Sequence, residues 1–208
     1  MQTENPPAAR NPSFTDRMRV QFKGLLEAVA GLFNRLGIPP NAMTLTGLLG
    51  TMAGAVLIAR GEIAAGGWVV LLSGATDAID GTMARLMGKA SRFGAFLDST
   101  ADRFAELFIF GALALRFALV SDPGGVAAAF AGAIGSVMVS YEKARAEGLG
   151  FECKVGLLTR MERYMVLCPL LILNLPFWAA VVVAVLGNFT ALQRIWHVYR
   201  LSRRDALK

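Results

Sequence analysis

Four aspartates with two fixed spacings dominate the chemistry this chain can do: Asp77-Ala-Ile-Asp80-Gly81-Thr-Met-Ala84-Arg85 and, a few residues on, Gly94-Ala-Phe-Leu-Asp98-Ser-Thr-Ala-Asp102. They stand beside or inside apolar segments of membrane length, where a carboxylate is costly and is by default functional. On a helix Asp77 and Asp80 lie about 60° apart, and Asp98 and Asp102 about 40° apart, so each pair faces one direction. Four like charges converging at low dielectric would repel and take up protons unless a polyvalent cation neutralised them. An all-oxygen ligand set suits magnesium, manganese or calcium rather than zinc. The group reads as a metal site.

Two further groups of residues bear on what such a site would handle. Gly81 and Ala84 are small, which lets a bulky ligand approach the backbone but serves helix packing equally well. Arg85, one turn beyond Asp80, can contact a phosphate or simply mark a cytoplasmic helix end. A second cluster is basic: Ser140-Tyr-Glu-Lys143-Ala-Arg145, then Arg160-Met-Glu-Arg163, then Gln193-Arg194. Lys143, Arg163 and Arg194 lie at the ends of apolar segments, where they can enclose an anion. Metal-bound carboxylates beside cationic phosphate ligands suit phosphoryl-type transfer. The metals neutralise a pyrophosphate, and a carboxylate takes the proton of an attacking hydroxyl. At a membrane boundary one substrate can keep its acyl chains in lipid, so the reaction class is lipid headgroup transfer.

The elements that must position these residues are membrane helices. The chain has 208 residues, 55% hydrophobic, with mean hydropathy +0.51, too apolar for a soluble domain. Apolar stretches run over Met43–Ala59, Ile63–Ile79, Phe96–Leu119, Val126–Tyr141, Tyr164–Leu173 and Phe177–Ile195, the fifth being short and containing Pro169. The expected fold is an all-α integral membrane protein with six transmembrane helices. Of the 21 Lys and Arg residues, 18 lie before the first stretch, between the second and third, between the fourth and fifth, or at and beyond the end of the last, counting Arg194. Both termini and the carboxylate cluster are therefore expected on the cytoplasmic side of a cell membrane. The net charge of +6 follows from topology and attraction to anionic lipid, and no pattern argues for nucleic acid.

Residues 1–40 form an expected cytoplasmic segment in which Phe14–Leu36 reads as an interfacial amphipathic helix, with apolar Met18, Phe22, Leu25, Leu26, Val29, Leu32 and Phe33 at helical spacing. No short apolar core with a small-residue cleavage site is present, so no cleaved signal peptide is expected. Residues 41–200 form the six-span domain, and 201–208 a basic tail. Cys153 and Cys168 fall in a cytoplasmic connection and a span, which argues against a disulfide. His197 reads as an interfacial residue, and Gly47, Gly50, Gly54, Gly132 and Ser136 as helix-packing positions.

The spacing Asp77-x-x-Asp80-Gly81-x-x-Ala84-Arg85, followed by Gly94-x-x-x-Asp98-x-x-x-Asp102, resembles the signature of the CDP-alcohol phosphotransferase family at every fixed position. Pro40-Asn41-Ala-Met-Thr44 is similar to that family's entry to its first span. The resemblance implies two divalent ions, Mg2+ or Mn2+, held by Asp77, Asp80 and Asp98, with Asp102 as a further candidate ligand. It implies Asp102 as the base, and Asn41, Thr44, Gly81, Ala84 and Arg85 around the CDP moiety of a lipid substrate. The basic cluster is most similar to the phosphatidylinositol phosphate synthases and their archaeal-lipid counterparts, although Met161 stands where proline is common in such sequences. This implies an acceptor pocket of Ser140, Lys143, Arg160, Arg163 and Arg194 for a phosphorylated polyol, and a homodimer. The expected reaction joins CDP-diacylglycerol and inositol 1-phosphate to give phosphatidylinositol phosphate and CMP. Glycerol 3-phosphate is the alternative acceptor. A cation channel or transporter would instead distribute polar groups through the bilayer.

Overall fold

The computed structural model of the chain is described for residues 23–86 and 91–205, and within them not for the side chains of 23, 25–27, 29, 77–86 and 205. All regular structure among the described residues is helical: α1 (Lys23–Arg35), α2 (Pro40–Arg60), α3 (Ile63–Leu86), α4 (Arg92–Leu119), α5 (Pro123–Gly148), α6 (Arg160–Ile172) and α7 (Pro176–Asp205). The helix ends follow local chemistry. Pro40 opens α2 at a position where its missing N–H costs nothing. Gly61 ends it at φ 94°, where its own N–H and that of Glu62 reach the carbonyls of Ile58 and Leu57. Ser91 caps α4 by accepting a 2.9 Å hydrogen bond from the Gly94 amide, and Asp122 does the same for α5 from Gly125. At the start of α6 the Thr159 hydroxyl donates to the Glu162 carboxylate, a serine/threonine-to-glutamate spacing characteristic of helix starts.

Among the described residues, three helices are long and apolar enough to cross a bilayer: Pro40–Arg60, Pro123–Gly148 and Pro176–Arg204. The other expected spans differ in instructive ways. The described apolar part of α3 is Ile63–Thr76. Helix α4 contains the expected stretch Phe96–Leu119 but starts at Arg92 and carries Asp98, Asp102, Arg103 and Glu106 between its start and its middle. Helix α6 has 13 residues, or about 20 Å against a hydrocarbon thickness of about 30 Å. Of the expected N-terminal helix, residues 23–35 are described as α1 and 14–22 lie outside the described residues. Ala30 of α1 is buried in a small cluster with Met43, Phe33 and Ile38.

Small residues set the closest approaches. A Cβ added to Gly54 of α2 would lie 2.8 Å from Val70 Cγ2 and 3.0 Å from the Gly66 carbonyl of α3. In α5 a Cβ on Gly135 would come within 2.9 Å of the Asn188 amide of α7, while Gly132 faces the Phe110 ring of α4. These contacts leave one core of Ile58, Val70, Ile109, Phe110, Leu113, Leu167, Leu171 and Val183. Leu49, Val56, Leu72, Leu115, Phe130, Val185 and Leu192 point outward, an apolar exterior that suits contact with lipid.

Candidate active site

The first half of α4 presents Asp98 and Asp102 one turn apart, both half-buried. The Asp102 carboxylate lies 2.6 Å from Arg160 Nη2 at the start of α6, with side-chain exposures of 13% and 32%. The Arg160 guanidinium also sits over the Tyr164 ring, 5.4 Å from its centroid. Asp102, Arg160 and Tyr164 share a small cavity with Thr44 and Thr51 of α2 and Ser73 of α3. Asn41 reaches the same helix end, since a Cβ on Gly94 would lie 3.2 Å from its Oδ1. The signature glycine thus lets the start of α4 pass close to the start of α2.

One turn further along both helices the pairing repeats. Arg163 Nε donates to Glu106 Oε1 at 3.1 Å, and Nη2 donates to Oε1 at 2.7 Å and to Oε2 at 3.0 Å. Arg163 Nη1 donates to the Leu158 carbonyl at 3.2 Å. The two side chains are 3% and 4% exposed. Both oxygens of Glu106 are engaged, the forked geometry in which an arginine–carboxylate pair is strongest. Glu106 was not singled out by the sequence. The available signal was a carboxylate inside an apolar stretch, one turn beyond Asp102, which demands a partner.

Helix α7 holds the connection between α5 and α6. Thr190, Arg194 and His197 lie along one stripe of α7 and meet three successive points of that loop. Leu158 N donates to Thr190 Oγ1 at 3.2 Å, Arg194 Nε donates to the Val155 carbonyl at 2.9 Å, and His197 Nε2 lies 3.2 Å from the Glu152 carbonyl. Arg194 Nη1 also donates to the Val139 carbonyl of α5, and the arginine is 4% exposed. Gly156, at φ 143°, lets the loop pass over this guanidinium, since a Cβ there would lie 3.2 Å from Arg194 Nη2. Burial pushes the Cys153 thiol of this loop above its ordinary range, with Arg194 opposing.

The remaining expected residues are spread more loosely. Ser140 is half-buried, and Lys143 is exposed with its Nζ 3.9 Å from Glu147. Nearby, both carboxylate oxygens of Glu142 and Oε1 of Gln193 are shielded and have no hydrogen-bond partner among the described residues, acceptors suited to a hydroxylated ligand. Helix α3 runs through positions 77–86, but the side chains of Asp77, Asp80, Gly81, Ala84 and Arg85 lie outside the described residues. Among the described residues no three candidate ligands gather. Asp98 and Asp102 supply hard oxygen donors on one helix face beside a polar cavity, which fits a divalent cation of the magnesium or manganese kind.

Residues 38–193 match the family model described as CDP-alcohol phosphatidyltransferase, and the chain belongs to that family of enzymes. It is 34% identical over 197 residues to the archaetidylinositol phosphate synthase of Methanothermobacter thermautotrophicus, covering 91% of this chain and 98% of that one. It is 43% identical over 152 residues to the phosphatidylinositol phosphate synthase of Streptomyces avermitilis, covering 71% of this chain but 62% of that relative's length. Among solved structures, the phosphatidylinositol phosphate synthase of Mycobacterium tuberculosis matches with TM-score 0.78 and 31% identity in its complex with manganese and citrate, over 84% of this chain and 88% of that one. The same enzyme with CDP-diacylglycerol bound matches with TM-score 0.75 and 30% identity, over 84% of this chain and 93% of that one.

Proposed function

We propose that the chain transfers a phosphatidyl group from CDP-diacylglycerol to inositol 1-phosphate at the cytoplasmic face of a cell membrane, as a six-span protein and a homodimer. The observation that carries this reading is the union of the complete aspartate signature with Arg160, Arg163 and Arg194, all meeting the α5–α6 loop or α4 at the end of the bundle that holds Asp102. A phosphorylated polyol needs such cations, and its free hydroxyls find acceptors in Glu142 and Gln193.

Asp77, Asp80, Asp98 and Asp102 would hold the divalent ions, which supply charge neutralisation of the pyrophosphate and of the departing CMP. Asn41 and Thr44, at the start of α2, stand with Gly81, Ala84 and Arg85 around the CDP group. The acceptor hydroxyl oxygen forms a bond to the phosphorus that carries diacylglycerol, the bond from that phosphorus to the CMP oxygen breaks, and Asp102 receives the hydroxyl proton. Ser140, Lys143 and Arg160, the more accessible members of the expected acceptor pocket, contact the acceptor phosphate. Arg163 and Arg194 contribute charge from behind them. The test is CMP release from CDP-diacylglycerol by the purified protein against inositol 1-phosphate, free inositol and glycerol 3-phosphate. Inositol 1-phosphate is expected to be used far better than free inositol, which offers the cations no phosphate, and better than glycerol 3-phosphate, which presents fewer hydroxyls to Glu142 and Gln193. Preference for glycerol 3-phosphate or equal use of free inositol defeats the acceptor assignment.

A further inference from the structure

Glu106 lies outside the signature and has no role in the reaction as described above. Its position is nonetheless specific. It follows Asp102 by one turn on α4, as Arg163 follows Arg160 by about one turn on α6, so the two helices are joined by two parallel ion pairs: Asp102 with Arg160 at 2.6 Å, and Glu106 with Arg163 at 2.7 Å. Helix α4 lies against α2 and α5, and α6 lies against α3 and α7, while the α4 and α6 backbones make little direct approach. Further along, Ile109 and Leu113 of α4 share the buried core with Leu167 and Leu171 of α6. Nearer their starts a small polar cavity is lined by Ala101, Asp102 and Ala105 on one side and Arg160 and Tyr164 on the other. At that level long side chains bridge the two helices.

The outer of the two pairs is the adaptable one. Arg160 meets Asp102 from a side chain about one third exposed and rests on an aromatic face. The inner pair is rigid: three hydrogen bonds join the two side chains, a fourth ties Arg163 to the Leu158 carbonyl, and both residues are buried. Arg163 cannot rotate without leaving Glu106 unpaired, which strongly disfavours alternatives. The inner pair therefore fixes α6 relative to α4, and through the rise and rotation of one helical turn it fixes where Arg160 meets the aspartate.

We infer that Glu106 is a positioning residue of the transfer reaction, anchoring Arg163 so that Arg160 is held at Asp102. This rests on the functional reading above, in which Asp102 receives the acceptor proton and Arg160 meets the acceptor phosphate. Glu106 itself touches no substrate. Its replacement is expected to act on the acceptor half of the reaction and to spare CDP-diacylglycerol binding, since Asn41, Thr44, Gly81, Ala84 and Arg85 lie on α2 and α3 and Asp98 lies two turns before Glu106 on α4.

The experiment is a double-mutant cycle of Glu106→Gln and Arg160→Gln in the purified full chain, read by CMP release, by CDP-diacylglycerol affinity and by melting midpoint. Glu106→Gln is expected to lower kcat and raise the acceptor KM for a combined loss of about ten- to hundredfold, the scale of a misplaced catalytic group. Lipid-nucleotide affinity should stay within about twofold, and in the Arg160→Gln background the same change should cost little more. Wild-type kcat and acceptor KM in folded Glu106→Gln, fully additive effects on rate, or a matching loss of CDP-diacylglycerol affinity would each overturn the inference. If Glu106→Gln does not fold, Glu106→Asp replaces it, keeping the charge on a shorter arm; retained wild-type kinetics there is equally decisive against. Should the wild-type chain prefer another phosphorylated acceptor, the cycle is run with that acceptor and only the named product changes. Should it release no CMP with any acceptor, the functional reading falls, and non-additive melting midpoints between positions 106 and 160 still decide whether the inner pair governs the outer one.

Discussion

Arg163→Gln provides the sharpest physical test, because the sequence reads the residue as a phosphate ligand while the structure engages it fully inside the protein. Arg163 is 2% exposed and Glu106 3% exposed, and the glutamine would leave a buried carboxylate facing no cation in reach of both its oxygens. Removing one partner of a buried pair costs about 3–5 kcal/mol, whereas replacing both by apolar residues of similar volume is often neutral or better. For a chain of this size, about 2–4 °C per kcal/mol puts the loss for Arg163→Gln at about 6–20 °C in melting midpoint. The double variant Glu106→Leu with Arg163→Met should recover most of that loss. The assay is thermal unfolding of the detergent-solubilised protein, followed by CMP release below the lowered midpoint. A variant that melts with the wild type would refute the claim that the pair is buried and mutually dependent. Recovery of stability in the apolar double variant without recovery of acceptor use would show that Arg163 also contributes its charge to the acceptor.

Three other outcomes follow from the same geometry. Asn in place of Asp77, Asp80 or Asp98 should abolish CMP release that depends on a divalent ion while leaving the protein folded, since the amide keeps the shape but loses the charge; a purified Asp80→Asn protein with near wild-type turnover would overturn the metal assignment. Asp102→Asn should lower turnover by about 10² to 10⁴, much more than it lowers CDP-diacylglycerol affinity, and a proportionate affinity loss would leave Asp102 as a ligand alone and the base unassigned. Cys153 is fully buried and burial holds its thiol above the ordinary range, so the thiolate that reacts is scarce at neutral pH and increases only as pH rises through that elevated value. Iodoacetamide labelling at pH 7 should therefore be slow in the folded protein and fast after unfolding, and rapid labelling of the native chain would contradict the packing of the α5–α6 loop on α7.

Much of the architecture was legible because its causes are local. Apolar runs, terminating prolines and Gly61 mark helix ends wherever the chain folds, and the aspartates at spacings of three and four must share a helix face. The packing role of Gly54 was legible for a similar reason: a small residue at a helix contact permits a close approach from whichever neighbour arrives. The basic residues, too, identified one end of the bundle through their distribution along the chain.

What the sequence by itself determined, then, is the helical character of the chain, its aspartate signature and the concentration of cations near that signature. What only the tertiary structure decided is which charge faces which. Glu106 and Arg163 stand 57 positions apart, and Arg194 binds the carbonyl of Val155 across 39 positions; neither distance carries any local period that could announce the contact. The same arginine spacing on α6 is compatible with two cations open to a ligand or, as found, with one at Asp102 and one sequestered by Glu106. The choice depends on the height and rotation of α6 relative to α4, to which the seating of α6 on α3 and α7 and the buried Glu106–Arg163 pair both contribute, and on the burial penalty that forces an enclosed charge to find a partner.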